Sequence, residues 1–418
     1  MQSLFRLAAS LVPGWQRPKP TDERVWTGAP GPLSRAGVPV SSEAVLQLDV
    51  VQAVQENLGG VVSSLPVGVF RRGPDGEREP DRAHRLHVLL NDRPNPRQTA
   101  QEHFDEQQRH LSTWRNAYAR LVPADDGHPI GAIEPIHPSR LVKIERGEGG
   151  RVFYTFSGLG TATQEVLRDD QVWHVRKAPL TVDGLRGVPV WESAREVFGR
   201  AIAVREYGAD FFRNSGLSGG VLEHPGTFKD KEARAEFLEA WREGGTGANR
   251  HRDRLLLHGV KYNQLVVKNN EAQFLETAAA TDVQVCRLWN MPPHRVGILD
   301  RATFSNIEQQ SIDYVVYTLA PWICAWEQAA HRDLLIGEEQ DTHFVEINVA
   351  GLLRGDLAAR YKAYAVARQW GWLSVNDIRR LENQNGIGPD GDIYLQPLNM
   401  GEAGDPEPEP EPKKREES

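Results

Sequence analysis

The chain has 418 residues, of which 39% are hydrophobic and 25% are charged, and its formal net charge at pH 7 is −8. These fractions are typical of a folded globular protein, and the length is enough for two or more domains. The acidic balance gives no overall positive field, which argues against a protein that grips DNA tightly. A channel through which DNA slides is compatible with it, because attraction there would act as friction.

The two cysteines, Cys286 and Cys324, cannot complete a zinc site by themselves. Both are predicted to be small core residues rather than a disulfide, which indicates a reducing compartment. Residues 1–12 are mildly apolar but lack the basic start and long apolar middle of a signal peptide, so a short amphipathic arm is predicted. No apolar run approaches the roughly 20 residues that span a bilayer.

The first half of the chain predicts an arm, a helix and a β-rich region. Residues 13–40 are rich in proline and glycine and should form an extended arm without its own core. Apolar residues at spacings of three and four then predict one amphipathic helix over 42–63, and a strand at 65–72 and a turn at 73–76 follow. Thr99 should cap a helix that ends near Trp114. Short strands are predicted at 117–122, 130–136, 140–146, 152–156 and 172–175.

Two helices flank a polar insert in the middle of the chain. Pro189 is well placed as the first residue of a helix that ends near Arg213, and a second helix is predicted over 271–290. Between them the sequence predicts a charged helix at 229–243 and a strand at 254–257.

A long helix is predicted after the insert. Pro292 and Pro293 keep the preceding loop out of helical geometry. Residues 305–308 (SNIE) fit a capping box, and apolar residues then recur at helical spacing. A helix over 306–335 would be about 45 Å long. Pro321 lies inside it and crowds the carbonyl of Tyr317, so a kink is predicted there. The pattern fits either an element of a large assembly or an ordinary buried helix with a proline bend.

The C-terminal part alternates a strand with two helices and ends in a charged tail. A strand is predicted at 343–349, a helix capped by Asp356 should end at Trp370 before Gly371, and another helix starts near 373. The tail over 402–418 (EAGDPEPEPEPKKREES) should be disordered.

Three short motifs occur in order, at 291–293 (MPP), 304–309 (FSNIEQ) and 318–321 (TLAP). In motif and spacing the chain resembles the portal, or head–tail connector, proteins of long-tailed bacteriophages and phage-like gene transfer agents. The resemblance covers about residues 42–400. Two positions depart from the family pattern: Arg115 stands where a glycine precedes Asn-Ala-Tyr, and Asp377 stands where a glutamate is usual.

The resemblance implies an α+β portal fold with a β-rich wing, a two-helix stem, a small α/β clip, a long kinked helix and a C-terminal helical crown. The implied segments are an N-terminal arm (1–41), a wing (42–188), a stem helix (189–215), a clip (216–270), a return stem helix (271–290), a tunnel loop (291–305), a long kinked helix with a wing strand (306–354), a crown (355–400) and a disordered tail (401–418).

The resemblance also implies a function. Portal subunits form a ring, usually of about twelve copies, at one capsid vertex, and double-stranded DNA passes through its channel. Implied partners are the packaging motor (terminase), the major capsid protein and a neck or adaptor protein, with no membrane. The implied location is the virion, and the host cytoplasm during assembly.

Two groups of site residues follow from the resemblance. The candidate DNA-facing residues of the tunnel loop are His294, Arg295, Asp300, Arg301 and Thr303. Its two arginines are equally compatible with phosphate contact and with ion pairs to Asp300 or neighbouring acids. The candidate docking residues of the clip are Lys229, Lys231 and Arg234.

No catalytic, metal or cofactor site is predicted. The sequence has no G-x-x-x-x-G-K-[ST], no G-x-S-x-G and no H-E-x-x-H motif. His84 and His87 could share a helix face, but they have no evident third ligand. The alternative functions are a phage-encoded DNA-processing or maturation enzyme, such as a nuclease or protease, and a ring-shaped neck adaptor, although adaptors are usually much shorter.

Overall fold

The computed structural model describes residues 32–73, 77–160, 163–213, 220–223, 225–226, 228–243, 259–264, 271–299, 307–349, 352, 357–382 and 384–395. The chain divides into two compact units, 1–348 and 349–418. Helices and antiparallel strands alternate in the first unit, which confirms the predicted α+β class.

Helices and short strands alternate along the first unit. Up to residue 176 the elements are α1 (Ser42–Leu46), α2 (Asp49–Ser63), β1 (Val67–Arg72), β2 (Arg78–Pro80), α3 (Arg85–Asn91), α4 (Ala100–Trp114), β3 (Asn116–Val122), β4 (Ala132–Ile136), β5 (Leu141–Arg146), β6 (Val152–Ser157), β7 (Gln164–Arg168) and β8 (Val172–Arg176). From residue 190 they are α5 (Val190–Ser193), α6 (Arg195–Arg213), β9 (Gly220–Glu223), α7 (Lys231–Glu243), β10 (Lys261–Gln264), α8 (Glu271–Arg287), α9 (Ile307–Asp313), a π-helical segment (Tyr314–Leu319), α10 (Ala320–Asp333), α11 (Glu339–Thr342) and β11 (His343–Ile347).

All strand pairs in the described ranges are antiparallel. Three sheets have the orders β11-β1-β2, β4-β3-β8 and β5-β6-β7, and β9 pairs with β10. The second and third sheets share an apolar core that contains Tyr118, Phe156 and Val172. β7 was not predicted, because its alternation of exposed and buried residues is short and carries only two apolar side chains.

Helix α4 lies at the centre of the first unit. Thr99 caps it as predicted, and the cap is a reciprocal box: the Thr99 hydroxyl accepts from the amide of Glu102, whose carboxylate accepts from the amide of Thr99. Phe104 packs against Trp173 and Trp326, with ring centres 6.3 and 5.4 Å away. Since α4 contacts α2, β3 and the long helix, it holds these three elements together.

A fully bonded polar network lies between the strands of this core. Asn116 donates to the carbonyls of Trp114 and Gly187, 2.7 and 2.8 Å away, and its Oδ1 accepts from the Gly187 amide and from His174 Nε2. Nδ1 of His174 then accepts from the Tyr154 hydroxyl. Burial lowers the pKa of His174 well below its usual value, so this ring stays neutral. The network fixes the loop that leads from β8 to α5.

Helices α6 and α8 pack antiparallel. Phe198 lies 6.2 Å from Trp289 at one end of the pair, and Tyr207 lies 5.4 Å from Phe274 toward the other end. Arg200 donates to the side chain of Gln284, 3.0 Å away, so this arginine is an interhelical partner. β9, α7 and β10 lie between these two helices in the sequence; α7 overlaps the charged helix predicted at 229–243, whereas β10 was not predicted.

The single helix predicted over 42–63 is wrong, because the chain breaks at Leu48. Leu48 is extended, with φ −73° and ψ 124°, so α1 and α2 are separate helices. The carbonyl of Leu46, left without a helical donor, accepts from the side-chain amide of Gln52 at 2.9 Å. The predicted apolar face is nevertheless buried, including Val45, Leu48 and Val51.

Two further predictions are corrected. Pro189 is the cap before the four-residue helix α5 rather than the first residue of a long helix, and the backbone of Ala194 (φ −121°, ψ 34°) separates α5 from α6. Cys286 is buried as predicted, whereas Cys324 is exposed, and neither forms a disulfide. Cys324 follows the helical period of α10 onto its outer face.

The end of the predicted arm packs on α6. Ser34 and Val40 are buried, and the amide of Arg35 donates to the carboxylate of Glu196 at 3.1 Å. A side chain at Gly199 would collide with Ser34, so this glycine permits the close approach. Residues 1–31, the turn at 74–76, the strand at 254–257, Ser305 and the tail lie outside the described residues.

The second unit, 349–418, contains α12 (Leu357–Gln369) and α13 (Val375–Leu381). Gly371, at φ 74°, follows α12 as predicted, because glycine adopts this conformation without strain. Ser374 and Asp377 form a reciprocal capping box for α13, so the aspartate serves the role of the usual glutamate. Asp356 lies outside the described residues.

Candidate functional site

The segment before the long helix is a compact turn. Met291 is buried, and residues Pro293–Val296 form one 3₁₀ turn. Gly297 ends the turn with φ 83°, a left-handed conformation that glycine adopts without strain. The amide of Ile298 donates back to the carbonyl of Pro293 at 3.0 Å, which closes the turn. The prediction that the prolines keep this loop out of helical geometry is only partly met, since the chain forms no α-helix here but Pro293 begins a 3₁₀ turn.

Arg295 lies on the outer surface of this turn and contacts the long helix. Its guanidinium carbon lies 4.6 Å from the ring centre of Tyr314, and the group donates to the hydroxyl of Ser311 at 3.2 Å. A cation over an aromatic face is attracted by the ring quadrupole. One face of the guanidinium is thus covered, while the side chain as a whole stays exposed.

The other candidate residues of this segment are placed differently. His294 is half-buried, and burial, followed by the nearby Arg295, lowers the pKa of its imidazole. Asp300, Arg301 and Thr303 lie outside the described residues, so the pairing of the arginines with Asp300 stays a prediction.

The long helix changes its bonding pattern before Pro321. Where a kink was predicted, a π-helical segment, Tyr314–Leu319, lies between α9 and α10. A π-helix bonds each amide to the carbonyl five residues earlier, which accommodates a position without a donor. Pro321 lies in the first turn of α10, where a missing amide is tolerated.

Asn290 completes this break from the end of the preceding helix. Its side-chain amide donates to the carbonyl of Tyr317 at 2.9 Å, and this is the carbonyl four residues before Pro321. Its own carbonyl accepts from the Thr318 hydroxyl at 2.6 Å. Asn290 adopts φ 51°, which asparagine tolerates better than most residues. The turn and the helix break are therefore one bonded structure.

Asn290 was not among the predicted site residues. The available signal was an asparagine at the end of the predicted helix and two residues before Pro292, a position that favours a left-handed cap. Its partner, 27 residues away, could not be identified from that signal.

Tyr314 anchors the same segment to the core. Its ring is buried and its hydroxyl donates to the side chain of Asn57 on α2. Burial raises the pKa of the phenol, so it stays protonated. The inner face of the helix is therefore fixed against α2.

The outer face of the same helix is apolar and uncovered. The exposed fractions of Ile312, Val316 and Tyr317 are 41%, 49% and 63%. Single exposed apolar residues are ordinary, whereas a contiguous group marks an interaction surface.

The three candidate docking residues are exposed at the start of α7. Lys229 and Lys231 flank Asp230, whose carboxylate caps the helix by accepting from the amide of Ala233 at 2.7 Å. Arg234 follows one turn later and is also exposed. Within the described ranges none of the three has an ion-pair partner, so these charges face solvent.

Comparison with known proteins identifies the family. Residues 49–383 match the family model described as phage portal protein. The chain belongs to the phage portal protein family.

Relatives and solved structures agree with this portal assignment. The probable portal protein of Streptomyces phage phiC31 is 30% identical over 391 residues, which cover 90% of this chain and 83% of the relative. The neck of a native gene transfer agent particle, computed with C12 symmetry, matches with a TM-score of 0.55 at 17% identity, over 87% of this chain and 98% of the other. A crystal structure of an HK97-family portal protein from Corynebacterium diphtheriae matches with a TM-score of 0.54 at 15% identity, over 76% and 98%.

The chain is a portal protein of the phage capsid vertex. The family match favours this function over the alternatives, which were a nuclease, a protease or a neck adaptor. Portal proteins are structural. In the described part of the chain no three acidic, histidine or cysteine side chains are grouped to hold a metal ion. No described helix is both long and apolar enough to cross a bilayer.

Proposed function

We propose that about twelve copies of this chain form a closed ring whose axial channel admits double-stranded DNA. The observation that carries this proposal is the apolar outer face of the long helix, at Ile312, Val316 and Tyr317. A second copy that covers this face with a different part of its own surface makes a heterologous contact, and repeated heterologous contacts form a ring when the rotation between copies closes. The count of twelve agrees with the symmetry used for the gene transfer agent neck.

The proposal assigns the predicted segments to parts of the ring. The wing, the two stem helices, the clip, the tunnel loop and the crown keep the boundaries given above. Support for the stem comes from the antiparallel packing of α6 and α8, and support for the clip comes from the strand pair and helix between them.

The charge of the ring bears on how DNA would pass. Twelve copies at −8 each sum to about −96, so most of the channel field should repel the duplex. Transient phosphate contacts from Arg295 and Arg301 at one narrow belt would then guide the DNA without holding it. Arg295 supports this role because its guanidinium is exposed at the turn before the long helix.

The clip is proposed to dock first the packaging motor and then the neck. Reversal of charge at Lys229, Lys231 and Arg234 should weaken binding of the motor and leave rings intact, because these side chains are exposed and lie away from the core. Pull-down of the motor by parent and variant rings measures this effect. Variant subunits that fail to form rings would show that these charges act in assembly instead.

The ring is proposed to act without catalytic turnover. It is proposed to lie in the virion beside the major capsid protein and, during assembly, in the host cytoplasm. Purified protein should hydrolyse no ATP and cleave no DNA. Turnover that co-purifies with the ring and is abolished by a point mutation in this chain would contradict a purely structural role.

Assembly is tested by sedimentation of the purified protein across micromolar concentrations. A single large species is expected. A chain that stays monomeric throughout this range would contradict the ring.

A further inference from the structure

Two cationic side chains flank the indole of Trp322 on the long helix. Nζ of Lys177 lies 4.6 Å from the ring centre, and the guanidinium carbon of Arg115 lies 5.4 Å from it. Arg115 is only 8% exposed, Trp322 is buried and Lys177 is half-buried. The three residues come from the end of α4, the end of β8 and the start of α10, so the cluster is where these elements meet.

Main-chain carbonyls hold both cations, and no carboxylate among the described residues pairs with either. Lys177 Nζ donates to the carbonyl of Pro321 at 2.8 Å, and Arg115 Nη2 donates to the carbonyl of Leu288 at 3.2 Å. Nε of Arg115 is buried and has no hydrogen-bond partner among the residues that the structure describes. Burial lowers the pKa of Lys177 to about 8 and that of Arg115 to about 10. Buried charge of one sign is costly unless an anion compensates it.

Two other part-buried arginines of the described residues do have such an anion. Arg109 pairs with both Glu56 and Asp105, and Arg120 pairs with Glu165. Their carboxylates come from the chain itself, so they need no partner molecule.

Lys177, the half-buried member of the cluster, adjoins the apolar outer face of the long helix. This face includes Tyr317, Pro321 and Cys324, which lie at helical spacing and are all exposed. Lys177 donates a hydrogen bond to the carbonyl of Pro321. An apolar face beside uncompensated cations is suited to a protein surface that carries an acid. A duplex would present phosphates without apolar groups to cover Tyr317 and Pro321.

We propose that Arg115 and Lys177 form a socket for a carboxylate of a second copy of this chain. The socket rests on the ring of the proposed function and specifies one contact within it. The chain has 57 acidic against 49 basic residues, so each copy carries surplus carboxylates to fill the socket of its neighbour.

Assembly of variants tests the socket. Lys177→Met keeps an apolar side chain on Trp322 and removes the charge of the lysine. Arg115→Gly removes the charge of the arginine, and glycine tolerates the φ of 58° at this position. Lys143→Met is the matched control, since Lys143 is exposed on β5 and pairs with Glu145 of its own strand. Sedimentation at several salt concentrations gives the subunit concentration at half-assembly.

The two socket variants should raise that concentration at least about tenfold and weaken its dependence on salt, whereas Lys143→Met should not. The thermal midpoint of dissociated Lys177→Met subunits should fall by no more than about 3 °C, because within one copy the ammonium group makes only the hydrogen bond to Pro321 and the contact with Trp322. A larger fall would show that the assembly defect comes from a destabilised subunit, and would overturn the socket.

Zero-length carbodiimide crosslinking identifies the partner. In rings mixed from light and isotopically heavy subunits, Lys177 should be joined to an aspartate or glutamate of the other isotope. Unchanged assembly of Lys177→Met together with weaker DNA retention would show that phosphate occupies the site, and would overturn the socket while leaving the ring. A parent chain that never assembles would overturn both.

Discussion

Loss of the Asn290 side chain should destabilise the folded chain, and replacement of Pro321 should relieve that loss. Asn290 donates to the carbonyl of Tyr317 and adopts φ 51°. Asn290→Ala should lower the free energy of unfolding by about 2 kcal/mol, of which about 1 is the hydrogen bond and about 1 is the left-handed backbone, which asparagine tolerates through local bonding by its polar side chain and alanine does not. Asn290→Gly should cost only about 1 kcal/mol, because glycine tolerates this φ.

The coupling between the two positions is the decisive quantity. Pro321→Ala supplies an amide that can donate to the Tyr317 carbonyl, so the helix needs the Asn290 donor less. In that background Asn290→Gly should cost less than about 0.5 kcal/mol, which corresponds to a coupling energy of about 0.5–1 kcal/mol. Urea unfolding of the parent, the two single variants and the double variant, all at subunit concentrations below assembly, measures the cycle.

Equal costs of Asn290→Gly in the parent and Pro321→Ala backgrounds would refute this reasoning. They would show that the Asn290 amide does not substitute for the donor missing at Pro321. Equal costs of Asn290→Ala and Asn290→Gly would separately refute the contribution assigned to φ.

Two further predictions concern acid stability and DNA. Burial lowers the pKa of His103 to about 4 and that of His110 to about 3, so below pH 6.5 the unfolded chain takes up protons that the folded chain does not. The free energy of unfolding should therefore decrease as the pH is lowered, by about 2 kcal/mol for each histidine between pH 7 and pH 5. Urea midpoints at pH 7 and pH 5 measure this, and His103→Gln should flatten the dependence. Arg295→Ala with Arg301→Ala should leave rings folded and change the DNA packaged or retained per particle; unchanged DNA would exclude both side chains from the channel contact.

Periodic apolar spacing predicted the helices whose one face must be buried. The positions of Val45, Leu48 and Val51 are all buried as that spacing requires. The same pattern could not locate the break at Leu48, because apolar periodicity continues across it. The break depends on the Gln52 side chain bonding to Leu46, which is a local alternative to helical bonding.

The candidate site was predictable in outline and not in its bonding. Prolines at 292, 293 and 321 indicated a loop and an interrupted helix, and both are present. The form of the interruption depends on Asn290, and a single sequence gives no information about such a distant partner.

For Arg115, too, the sequence marked the position of the residue but gave no information about its contact. The sequence marked this residue as a departure from the family glycine, and the structure gives it φ 58°, which favours glycine. Nothing in the sequence indicated that its side chain lies over Trp322, because the two residues meet only in the folded unit.

The proposed assembly is a closed ring of about twelve copies around a channel. Twelve copies of 46.8 kDa have a mass of about 560 kDa. Single-particle electron microscopy of the purified protein, with mass measured on the same sample, should show rings with a central opening at about that mass. Monomers, or open filaments without a central channel, would contradict the account.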